Sequence, residues 1–246
     1  MRNIKFALSI LLTIFLLEFS YAQDWANLKR FQTENAALEI PASDDHRIVF
    51  MGNSITDSWS QMRPEFFADK PYVNRGISGQ TSPQMLLRFR QDVVDLKPSV
   101  VVILAGTNDI AENTGPSTIK MISDNIISMV QLAKSNNITA VICSVLPVYD
   151  FPWRKGLEPS EKIIKLNAVL KTYAKNHHIE YIDYFSAMVN DVNGLKEDLG
   201  YDGVHPNAAG YAVMESIFEE AISNVLINKQ TVLKSSICKP YLWYHN

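Results

Sequence analysis

Ser54 stands where a hydroxyl can do chemistry. The run Ile48 to Met51 reads as a short buried strand, Gly52 interrupts it, and a helical stretch begins after Ser54. A serine at the carboxyl end of a buried strand, beside a helix start, occupies the place where parallel α/β sheets hold ligands. The helix amino terminus adds partial positive charge and free N–H groups that favour an oxyanion. A simpler reading competes with this one, because serine is also a favoured helix N-cap.

Later residues favour the chemical reading. A serine hydroxyl is a weak nucleophile and needs an adjacent base. His205 can take its proton. Asp202, three residues earlier, can reach the other ring nitrogen across a single turn and fix the tautomer. A tetrahedral intermediate then needs N–H donors aimed at its oxyanion. The Ser54 amide, the Gly79 amide and the Asn108 side chain can supply three, and glycine lets the backbone approach a ligand closely.

Each of these residues has a structural reading as well. Gly76 and Gly79 can be turn glycines, which for Gly76 is the better account. Asn108 and Asp109 can form a turn or cap, which suits Asp109. Asp202-Gly203 resembles a turn, and His205-Pro206 a helix entry. His46, His177 and His178 read as surface residues, and Trp59 as core.

The elements that must position these residues alternate. Residues 24–40 read as an amphipathic helix, with Trp25, Leu28 and Phe31 near one face and Pro41 ending it. Strands are expected at 47–51, 71–74, 100–104, 138–145 and 179–182. The continuous β-branched run Val100 to Leu104 marks a central strand buried on both faces. Helices are expected at 83–96, opened by Ser82 and Pro83, and at 117–135, 160–176 and 208–227. Strands alternating with helices predict a parallel sheet covered on both faces. In such a sheet the carboxyl ends lie on one side, so Ser54, Gly79, Asn108 and the Asp202–His205 segment can converge. Cys143 reads as a core thiol, unpaired with Cys238.

The loop Val148 to Pro159 leaves that same side. It is longer than the about 2–6 residues usual for α/β connections. Trp153 offers a flat face for a sugar ring, and Arg154 a planar donor fork for a carboxylate or several hydroxyls. The alternative is that Phe151 and Trp153 pin the loop to the core.

The 246 residues, 47% of them hydrophobic, suit one globular α/β domain over residues 23–246, ending in a tail at about 229–246. A formal charge of −3 gives no basic excess to draw nucleic acid. Residues 1–22 have the features of a secretory signal peptide: Arg2 and Lys5, the apolar run Ala7 to Leu17, and Ser20-Tyr21-Ala22 at the cut. The run is short of the about 20 residues a spanning helix needs. The expectation is an exported protein, periplasmic or secreted, with no stable membrane anchor after cleavage.

Four blocks resemble those of the SGNH (GDSL-type) hydrolases: Gly52-Asn-Ser54, Asn74-Arg-Gly-Ile-Ser-Gly-Gln-Thr81, Gly106-Thr-Asn-Asp109 and Asp202-Gly-Val-His205. The resemblance implies a flavodoxin-like three-layer α/β/α fold. It also implies ester hydrolysis without a metal or other cofactor, often of acetyl or other short acyl groups on sugars or lipids. By the same resemblance Ser54 is nucleophile, His205 base and Asp202 its orienter, with Gly79 and Asn108 completing the oxyanion hole. One departure stands out: the family's usual Asp before the nucleophile is Asn53 here. The expected substrate is a small-molecule or polysaccharide ester, foremost an acetylated carbohydrate. The alternatives are a lysophospholipase, an acetylhydrolase-type lipase, a thioesterase, or a sugar-binding module on the same fold. Neither standard phosphate-loop spacing is present to support a nucleotide-binding domain.

Overall fold

A computed structural model describes residues 24–42 and 45–237, with side chains as far as Ile227. The expected signal segment and Cys238 lie outside the described residues. Among the described residues no helix is long and apolar enough to cross a membrane.

Five parallel strands form one sheet: β1 (Ile48–Gly52), β2 (Tyr72–Gly76), β3 (Val100–Leu104), β4 (Thr139–Cys143) and β5 (Glu180–Ile182), in the order β2-β1-β3-β4-β5. β1 lies between β2 and β3, with Gly52 in register with Gly76 on one side and Leu104 on the other. The apolar runs are continuous because successive side chains point to opposite, equally buried faces. Val49, Met51, Val101 and Ile103 face one core; Ile48, Phe50, Val100 and Val102 face the other.

Helices α4 (Ser82–Asp92), α6 (Ile119–Ser135) and α7 (Pro159–Asn176) cover the first face through Met85, Phe89, Ile126 and Leu166. Helices α2 (Ser54–Met62), α3 (Pro64–Phe67), α8 (Tyr184–Met188) and α9 (Ala208–Ile237) cover the second through Trp59, Phe66, Tyr184 and Phe218. The result is the flavodoxin-like three-layer fold. Trp59 is core, as expected: its ring stacks on Phe66 at 5.2 Å and its Nε1 donates to Glu215 at 3.2 Å.

Several expected boundaries shift. Within 24–40 only α1 (Gln32–Ala37) is helical. Asn27 takes φ 55, and the Asp24 carboxylate caps a turn by accepting from the N–H groups of Leu28 and Lys29. Phe31 is buried while Trp25 and Leu28 are exposed. Helix α4 opens after Thr81, whose N–H donates to Gln84 Oε1 at 3.0 Å, and Ser82 is its first residue instead of its cap. Strand β2 runs on to Gly76, which is therefore no turn glycine. Helix α9 continues to Ile237, so the first part of the expected tail is helical.

Candidate active site

The five carboxyl ends gather the residues singled out above. Ser54 is the first residue of α2, and its cap is Asn53, whose Oδ1 accepts from the Ile55 N–H at 3.0 Å. Ser54 is thus not the cap, and its hydroxyl points elsewhere: Oγ lies 2.8 Å from His205 Nε2. Asn caps a helix as well as Asp does, so the residue where the family usually has Asp keeps its local task.

α2 sits low on the sheet because two glycines let it. A Cβ on Gly76 would stand 2.1 Å from the Asp57 nitrogen, and one on Gly52 would stand 1.9 Å from Thr56 Oγ1. The pair is in register on adjacent strands. It forms a floor without side chains against which the first turn of α2 packs.

The Asp202–His205 turn is held by a single carboxylate. Asp202 Oδ1 accepts from the N–H groups of Val204 (2.9 Å) and His205 (2.7 Å), and Oδ2 meets His205 Nδ1 at 2.7 Å. An ionised carboxylate only accepts, so Nδ1 carries the proton and Nε2 is left to accept from Ser54. Burial pulls the Asp202 pKa up, but the N–H and ring of His205 and the Val204 N–H outweigh it. The carboxyl is held below its usual range.

Asn108 lies on α5 (Thr107–Ile110), buried, with Nδ2 donating to the Gln80 carbonyl at 3.0 Å. An amide nitrogen carries two protons, so one remains for a ligand. Gly79 precedes Gln80 with φ 79, a left-handed conformation that favours glycine, and its surface is open. The Ser54 N–H, at the start of a helix, has no acceptor in a preceding turn. Asp109 is not a local turn residue. It is buried and caps α4, accepting from the Ser82 N–H at 2.9 and 3.0 Å and from Ser82 Oγ at 2.5 Å. Burial raises its pKa against these hydrogen bonds.

The long loop divides its aromatics. Phe151 is fully buried, whereas Trp153 is 47% exposed with its ring 6.1 Å from the His205 ring. Arg154 turns away to a protein partner: it donates to the carbonyls of Ala111 (3.3 Å) and Glu112 (2.8 Å) and pairs with Glu112 Oε2 at 2.9 Å. Its fork therefore braces the loop. Sequence reading missed Tyr201, 61% exposed, which stacks on His205 at 5.7 Å and 12°. Its position one residue before the Asp202 turn is the signal that would have found it. Among the described residues no three His, Cys, Asp or Glu side chains are grouped to hold a metal ion.

A parallel three-layer sheet with a serine, an imidazole and a carboxylate in hydrogen-bonded sequence at its carboxyl edge has the layout of a serine hydrolase. The chain belongs to the GDSL-like lipase/acylhydrolase family, whose model matches residues 50–213, and this membership places it among the carboxylic ester hydrolases. It is 48% identical to a GDSL-like lipase of known structure from Bacteroides thetaiotaomicron, with a TM-score of 0.80 over 81% of this chain and 98% of that one. A solved protein from Bacteroides fragilis is 47% identical with a TM-score of 0.82, covering 83% of this chain and 99% of that one. An acetylxylan esterase from Xylanibacter ruminicola is 25% identical over 76% of this chain. The match spans 45% of that esterase's length.

Proposed function

We propose that the protein is an exported serine esterase that removes acetyl or other short acyl groups from carbohydrate esters. The observation that carries the reading is the relay from Ser54 Oγ through His205 Nε2 and Nδ1 to Asp202, with a 2.8 Å contact between residues 151 positions apart and a 2.7 Å contact within the Asp202–His205 turn.

The geometry gives each group its task. Ser54 Oγ attacks the acyl carbon while its proton passes to His205 Nε2, and Asp202 stabilises the imidazolium that forms. The carbonyl oxygen becomes an oxyanion held by the Ser54 and Gly79 N–H groups and the free N–H of Asn108. The alcohol leaves with the proton from His205. Water then attacks the acyl-serine, giving its proton to His205, and the carboxylic acid departs with Ser54 restored. Tyr201 and Trp153 border the imidazole with exposed flat faces suited to a sugar ring, and Arg154 keeps the Trp153 loop in place. Similarity to an acetylxylan esterase supports the acetyl-carbohydrate assignment.

The test is turnover of p-nitrophenyl esters by chain length, followed by acetate release from acetylated polysaccharides. Ser54→Ala is expected to keep the fold and lose activity by ~10⁴-fold or more. A serine-directed phosphonate is expected to label the wild type and spare that variant. Turnover rising with acyl length beyond about eight carbons, without acetate release, favours a lipase or thioesterase instead. Activity of Ser54→Ala close to wild type removes Ser54 from the nucleophile role.

A further inference from the structure

Helix α4 carries an ion pair in the core. Arg88 and Asp92, one turn apart, share the buried stripe with Met85 and Phe89, and their side chains are 0% and 1% exposed. Burial pushes the Arg88 pKa down to about 10, with Asp92 opposing it, so the guanidinium stays charged at neutral pH. Removing such charges from water costs several kcal/mol per ion, and apolar residues of similar volume often serve stability as well or better. Stability alone is therefore a poor account of the pair.

Its contacts give a better one. Arg88 spends its donors on three segments. Nη1 meets Asp92 Oδ2 at 3.1 Å, Nη2 donates to the Gly52 carbonyl at 3.1 Å, and Nε donates to Gln80 Oε1 at 2.6 Å. Gly52 ends the strand two residues before Ser54. Gln80 follows Gly79, and its own carbonyl takes the Asn108 side chain. One planar cation thus touches the turn that carries Ser54 and the loop that carries Gly79. The contacts are themselves held. Gln80 Nε2 donates to the Ala26 carbonyl at 2.8 Å, and Asp92 Oδ1 accepts from Asn35 Nδ2 at 2.7 Å. A guanidinium suits this place because its donors point in fixed directions within one plane, whereas a lysine ammonium is a single point on a flexible stem.

We propose that Arg88 is a positioning residue: it fixes the spacing between the Ser54 and Gly79 N–H groups and so sets the geometry of the oxyanion hole. The inference rests on the esterase reading above. Both donors must meet an oxygen that is charged only in the transition state. A displacement of about 1 Å can cost on the order of 10²-fold in rate, and the loss falls on kcat while ground-state binding is spared.

Arg88→Met alone strands Asp92 in the core, so the test uses Arg88→Met with Asp92→Asn. That pair removes both charges of the Arg88–Asp92 pair together, leaving the neighbouring buried Arg75 in place, and the amide oxygen at position 92 still accepts from Asn35. The expected result with p-nitrophenyl acetate is a melting temperature within a few degrees of wild type, with kcat about 10- to 100-fold lower and KM unchanged. Phosphonate inactivation is expected to slow by the same factor. Arg88→Lys is expected to keep stability without restoring kcat. Gln80→Met, which cuts the loop arm together with the tie from Gln80 to the Ala26 carbonyl and leaves the arm to Gly52, is expected to lower kcat by a smaller factor. The proposal is overturned if the double variant melts like wild type and keeps kcat within twofold, or if only KM moves. If the double variant does not fold, Gln80→Met decides, and wild-type kcat there overturns the proposal. A wild type that turns over no ester, or a Ser54→Ala variant as active as wild type, overturns the esterase reading itself and the inference with it.

Discussion

At the scale of single residues, Asn53 shows how a departure from a family pattern can be locally neutral. Its side chain caps α2 by accepting from Ile55, and Asn and Asp do this equally well. Asn53→Asp is therefore expected to shift stability by no more than about 1 kcal/mol, in the favourable direction a carboxylate has at a helix amino terminus. Thermal melting of the two proteins checks it. Asn108 is the opposite case. One N–H holds the Gln80 carbonyl, so Asn108→Ala removes a brace and, on the proposed mechanism, an oxyanion donor. The expected outcome is a kcat lower by roughly 10²–10³ with little change in KM, beside a stability loss of about 1–3 kcal/mol. A stability loss with unchanged kcat would leave Asn108 a brace alone. Asp202 adds a pH dependence. Its folded carboxyl is held below the usual value, so the folded state binds its proton less readily than the unfolded chain. The stabilisation is present above about pH 4, where the unfolded carboxyl is ionised, and is lost as pH falls through the lower folded value. Asp202→Asn is expected to flatten that part of the fall in melting temperature below about pH 4.

At the scale of elements, the close seating of α2 on β2 yields its own prediction. Gly76→Ala puts a methyl group 2.1 Å from the backbone of Asp57, where no flexible side chain can yield. Overpacking of this kind costs about 1–3 kcal/mol or more, and lifting α2 displaces Ser54, so melting temperature and kcat are expected to fall together. In the loop after β4, Trp153→Ala is expected to raise KM on an acetylated oligosaccharide and leave p-nitrophenyl acetate turnover nearly unchanged. Arg154→Ala frees the loop from Glu112 and is expected to weaken both the oligosaccharide KM and the melting temperature. The elements were legible where one local pattern governs them. β3 falls at the expected 100–104 because burial on both faces leaves a β-branched run no other reading. The expected strand 138–145 stops at Cys143. Its apolar run continues because Val145 and Leu146 are buried without being paired as a strand, and the Val145 N–H donates to the Asn167 side chain instead. Local pattern also misreads 24–40, where backbone carbonyls that accept from distant side chains replace helix: Gln80 and Gln84 donate to the carbonyls of Ala26 and Trp25.

At the scale of the whole molecule, the candidate site was legible because a parallel sheet sends every carboxyl end to one edge, so Ser54, Gly79, Asn108 and His205 needed no contact map to be grouped. Arg88 was not, because a charge on an apolar stripe declares its burial but not what it touches, and its partners at Gly52 and Gln80 come from other segments. Export is tested on the same scale: expression in a secreting host is expected to give a product beginning at Gln23 by mass spectrometry, and retention of residues 1–22 would refute cleavage there. The separation of Ser54 from His205 by 151 residues has a consequence in time. On the proposed mechanism Ser54 has no base until the Asp202–His205 turn has docked against the start of α2, so the nucleophile is silent for as long as the carboxyl-terminal part is unfolded. A chain threaded unfolded through a membrane, or still on the ribosome, would carry no esterase activity past the cell's own esters. In refolding from denaturant, turnover is expected to return no earlier than the burial of Tyr211 and Phe218 against the sheet.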